Sequence, residues 1–194
     1  MARNLDVERV AATHNMFRPV LVDALKQRSI TSEGQAILPF NAGSLFELWE
    51  RTFADKWFDM GTMIRLGTAI EMGLRSIYTD LASEPISRNT RVFQRLAVPT
   101  ELEEVFRQQC GLEVGALPEW STLREIMVHR HLYAHRSGLL DDKYIQDIAT
   151  VTGSSIREAV ESHGYPEVEV YWFQPLSRLD HFIGASRRYF EALT

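Results

Sequence analysis

The ten residues from Met127 to Arg136, "MVHRHLYAHR", hold three of the chain's six histidines and two of its 18 arginines. An imidazole changes charge near neutral pH, which suits His135 to general acid or base work. A guanidinium carries a permanent charge and a planar fork of donors that grips phosphate oxygens in pairs, a role open to Arg130, with Arg124 and Arg136 on the flanks. Tyr133 and Trp120 have faces on which a base can stack, although an aromatic that borders a core more commonly packs there. His131 and His135 are four apart and could share a zinc ion. A third ligand at supporting spacing is missing and Cys110 stands alone in the chain, so neither a metal nor a cofactor is expected. No glycine-rich phosphate loop, nucleophile elbow or metal-binding carboxylate cluster occurs elsewhere.

These side chains must be aimed by a helix opening near Pro118 and closing at Gly138, a good C-terminal cap. On it, steps of three and four place Trp120, Leu123, Met127, His131 and Ala134 on one face. Arg130 falls to one side of that stripe and His135 to the other, roughly 140° apart at about 100° per residue. One regular helix holds the two groups apart. A second copy packed across the stripe on a two-fold axis would line each groove with residues from both chains, so a homodimer through this helix is expected.

The rest of the chain reads as more helix. Its 194 residues, 45% hydrophobic and 24% charged, suit one soluble domain. The net charge of -5 excludes a broadly basic surface for indiscriminate nucleic-acid binding but leaves room for a local basic cleft. The single cysteine, and a start "MARNLDVERV" without a signal-like apolar run, set a cytoplasmic expectation, and no stretch is apolar enough to span a membrane. A helix is expected from about Leu5 to Arg28, kinked or restarted at Pro19, followed by a loop. Ser44 then caps a segment with an aromatic stripe of Phe46, Trp49, Phe53 and Trp57, and the pattern resumes after Gly61 with Met63, Leu66, Ile70, Leu74, Ile77 and Leu81. Thr100 and Glu103 form a capping box for a short helix ending near Gly111. Asp141 onward and Leu176 onward read as helices, and alternation near 167–173 suggests one short strand. The fold class is predominantly all-α.

The motif "RHLYAH" resembles that of the HEPN domain family (higher eukaryotes and prokaryotes nucleotide-binding), whose ribonuclease members carry arginine, a polar residue, and histidine after four to six intervening positions. Arg130, His131 and His135 fit that pattern. The earlier "EMGLR", Glu71 and Arg75, matches a second family signature, and "HRSGLLDDKYI" is similar to the stretch after the histidine in a bacterial branch. Arg9 to His14, Arg124 to His129 and Arg157 to His163 have the spacing without that context. The similarity covers about residues 60–190, with 1–43 as an N-terminal helical extension of a single domain.

The resemblance implies a helical bundle that dimerises and cuts RNA without a metal. The catalytic residues it implies are Arg130, His135, Glu71 and Arg75. Glu71 would orient Arg130 by an ion pair while Arg75 adds positive field, and His131, Arg124, Arg136 and Tyr133 would support RNA binding. It also implies the role of a toxin or phage-defence effector, with an antitoxin or defence-complex protein as partner. The alternative is a non-catalytic module of the same family that scaffolds a partner, and beyond it an unrelated helical interaction protein.

Overall fold

In a computed structural model, residues 5–31, 42–82, 92–94, 99–138, 140–154 and 175–193 are described. Six α-helices account for most of them: α1 Leu5–Thr31, α2 Ala42–Leu81, α3 Pro99–Cys110, α4 Trp120–Arg136, α5 Asp142–Thr152 and α6 Leu179–Ala192. The predominantly α-helical expectation holds. The strand expected near 167–173 lies outside the described residues.

The axis of the bundle is α2, whose 40 residues make a rod of about 60 Å. It continues through Gly61, where two helices were expected, and it starts at Ala42, which puts Ser44 inside the helix instead of at its cap. A lone glycine costs a helix only about 1 kcal/mol. Burial of Met60, Met63, Leu66, Ile70, Leu74 and Ile77 outweighs it, each worth roughly 1.5–3 kcal/mol. Leu81, the last residue of the expected stripe, is exposed. Of the aromatic stripe only Trp57 has a described side chain, and it too is exposed.

The N-terminal segment is one helix, α1, with Pro19 inside it. It runs antiparallel to α2: His14 Nδ1 lies 3.3 Å from the Thr62 hydroxyl, and Arg18 donates two bonds to the buried Asp59 at 2.9 and 3.1 Å. Arg187 of α6 clasps it from the other side, donating to both carboxylate oxygens of Glu8 at 2.7 and 2.6 Å. Val7 and Ala11 are buried with the common core.

Pro99 is the first residue of α3, which places Thr100 within the helix. Glu103, the other half of the expected capping box, accepts the Trp120 indole N–H at 2.6 Å. Helix α4 is covered on three sides, by α2, α5 and α6. It ends where Ser137 and Gly138 take left-handed φ of 52° and 87°, the second readily open to glycine.

Candidate functional site

Arg130 leaves α4 toward α2 and crosses it at Gly67. A Cβ built on Gly67 would sit 2.3 Å from the Arg130 Cδ, so the arginine stem occupies the space that the glycine leaves. One turn further along α2, Glu71 holds two cations. Its Oε1 accepts from Arg75 Nε at 3.1 Å, and its Oε2 faces Arg130 Nη2 at 3.5 Å. The Arg75 guanidinium in turn lies 4.7 Å over the Phe93 ring. The Glu71–Arg75 pair is therefore more than an ordinary surface pair, because the carboxylate is buried and links two helices. Among the described residues the Arg130 Nε is buried without a hydrogen-bond partner. An unsatisfied buried donor costs about 1–3 kcal/mol, so the orientation of this arginine is held against a penalty.

His131, Ala134 and His135 are exposed at the C-terminal end of α4. The apolar stripe thus divides, with Trp120, Leu123 and Met127 buried in the chain's own core and its last two members facing outward. The rings of His131 and His135 lie 4.7 Å apart, centroid to centroid. Partial burial lowers the His131 pKa below the usual imidazole value, and positive charge on His135 and Lys143 lowers it further, against Asp147 and Asp141. Among the described contacts none joins Arg130 to His135. Arg130 points into the α2–α4 crossing, and His135 pairs with His131 on the open side.

The supporting residues fare differently. Arg136 is paired with Asp141 at 2.9 Å, the same carboxylate that caps α5 through the Tyr144 N–H at 2.8 Å. Arg124 is half-buried beside the Glu103 charge, and burial lowers its pKa. Tyr133 is buried in the core and cannot stack on a base. Trp120 is likewise a core residue, stacked on Tyr189 at 5.6 Å. Both were judged from one face of α4, but three neighbouring helices bury a wider sector.

The residue that sequence reasoning passed over is His129. Its ring is buried, 2.9 Å from the Tyr144 hydroxyl at Nδ1 and 3.3 Å from Glu125 at Nε2, and Glu125 also binds Arg178 at 2.5 and 3.3 Å. Burial lowers the His129 pKa more than Glu125 raises it, which leaves the ring neutral at pH 7. A carboxylate can only accept, so Nε2 carries the proton and Nδ1 accepts from Tyr144. Burial pushes the Glu125 carboxyl up, yet the hydrogen bonds from His129 and Arg178 and the Arg178 charge hold it below the usual range. With His129 neutral, Arg178 supplies the balancing charge. Glu125 and His129, four apart, were visible as a pair in the sequence; Tyr144 and Arg178 were not.

No described helix is long and apolar enough to cross a membrane, and no three described His, Cys, Asp or Glu residues are placed to hold a metal ion. The chain matches no protein-family model, no curated protein and no solved structure.

Proposed function

We propose that the chain is a metal-independent endoribonuclease of HEPN type, working as a homodimer through α4 in the role of a toxin or phage-defence effector. The observation that supports this reading best is Glu71 held between Arg75 and Arg130. The two signatures named from sequence lie on different helices, and they meet at one carboxylate. In the proposed reaction the substrate 2'-oxygen attacks the adjacent phosphorus and the bond to the 5'-oxygen breaks. Arg130 stabilises the charge that builds on the phosphorane oxygens, and His135 transfers a proton, to the leaving 5'-oxygen or from the 2'-hydroxyl. The exposed His131 and Ala134 provide the face on which a second copy brings its own flanks into the groove.

A non-catalytic module that binds an antitoxin or defence-complex partner is the second reading, favoured by the separation of Arg130 from His135 within one chain. Purified protein incubated with labelled RNA in EDTA decides between them. Expected are 2',3'-cyclic phosphate ends, and a loss of about 10²–10⁴-fold on His135→Ala with the melting temperature retained, or on Arg130→Ala with the fold retained. Full activity in either variant, dependence on added magnesium, or 3'-hydroxyl products would overturn the nuclease reading.

A further inference from the structure

We propose that Gly67 is a positioning residue for Arg130, setting which edge of the guanidinium meets a phosphate. Gly67, Glu71 and Arg75 are successive fourth residues on α2 and so form one row along the helix. The row offers α4 a notch, a carboxylate and a cation in order. The Arg130 stem fills the notch: a Cβ at Gly67 would meet its Cδ at 2.3 Å, its Cβ at 2.9 Å and its Cγ at 3.0 Å. Not every glycine of α2 does this, since a Cβ at Gly61 would meet nothing within 4 Å.

A stem fixed along its length leaves the head few choices. Nη2 faces Glu71, and Nε is buried without an acceptor among the described residues, so the side edge of the fork is closed to a ligand. The side chain is still 24% exposed, and with Nε buried the polar surface it offers is the terminal Nη edge. A phosphate therefore meets Arg130 end-on. A methyl at position 67 lifts the stem, turns the head off Glu71 and spoils that approach.

The test compares wild type, Gly67→Ala, Arg130→Ala and the double variant. In Gly67→Ala the Arg130 Nε–Hε resonance should shift and exchange faster with water. Its loss of stability should shrink when Arg130 is already alanine. Should Gly67→Ala fail to fold, recovery of folding in the double variant supports the proposal and failure of both overturns it. An unmoved resonance, or equal penalties in the two backgrounds, overturns it as well, because the notch then serves helix approach alone. The activity arm rests on the nuclease reading: kcat/KM should fall about a hundred-fold in Gly67→Ala, the usual penalty for a group displaced by about 1 Å, and stay unchanged in Gly61→Ala. A wild-type protein that cuts no RNA defeats the nuclease reading, while the resonance and the stability cycle still decide the role of Gly67.

Discussion

His131 and His135 stand one turn apart on the exposed end of α4 with their ring centroids 4.7 Å from each other. Positive charge on His135 disfavours a proton on His131 at this distance. Replacing His135 with alanine removes one of the causes that lower the His131 pKa and should raise it, while Asp147→Asn should lower it further. Imidazole proton shifts followed by NMR from pH 4 to 9 would show both movements; a His131 titration indifferent to His135 would contradict the coupling.

Stability should fall as acid is added, through the buried histidines. His14 and His129 both have folded-state pKa values lowered, chiefly by burial. The unfolded chain then binds more protons than the folded one once the pH drops below the ordinary imidazole value of about 6.5. The stabilising effect of holding them neutral is full above that value and is lost progressively toward the lowered folded pKa. Urea midpoints at pH 7.5 and 5.5 should differ in that sense, and the difference should narrow in His129→Gln.

Tyr144→Phe should destabilise by about 1–3 kcal/mol, because it strips the donor from a fully buried imidazole nitrogen without opening much volume. The α5 cap from Asp141 to the Tyr144 backbone N–H survives the change. A lower urea midpoint at constant slope is the expected signature. An unchanged midpoint would mean that Nδ1 finds another partner.

If the proposed homodimer and nuclease reading hold, Ala134→Glu should split the dimer and abolish RNA cleavage together. Its methyl is exposed at the same end of α4 as His131 and His135, and in the proposed dimer the carboxylate would meet its own copy across a two-fold axis. Light scattering and RNA cleavage on the same samples read both properties. A monomeric variant cutting at the wild-type rate would remove the shared groove from the mechanism.

What was legible in the sequence was whatever a single helix determines. The row Met63, Leu66, Ile70, Leu74 and Ile77 is buried as its spacing indicated, and Glu71 and Arg75 pair as residues four apart do. Less legible were features made by two helices at once. Gly67 looks like any helix glycine until α4 lays an arginine across it. Glu103 looked like half of a capping box, but Trp120 arrives from 17 residues away with a donor. Tyr133 looked available for stacking because one stripe was drawn on a helix that three neighbours cover. Composition and periodicity report a helix's own faces; the choice of neighbour is settled by contacts between distant segments.

The clasp between Glu8 and Arg187 has a kinetic side. The two residues are 179 positions apart, and closing a free loop of that length costs roughly 4–5 kcal/mol in chain entropy. That expense falls if nearer contacts form first: His129 with Tyr144 across 15 positions, and His14 with Thr62 across 48. Once α1 lies on α2 and α6 joins them, Glu8 and Arg187 face each other over a much shorter effective loop. A pair that closes after the rate-limiting step would make Glu8→Gln quicken unfolding while leaving the refolding rate almost untouched, which stopped-flow unfolding and refolding rates check. On that order of events the clasp would be a small brake on escape, with little part in the search that precedes it.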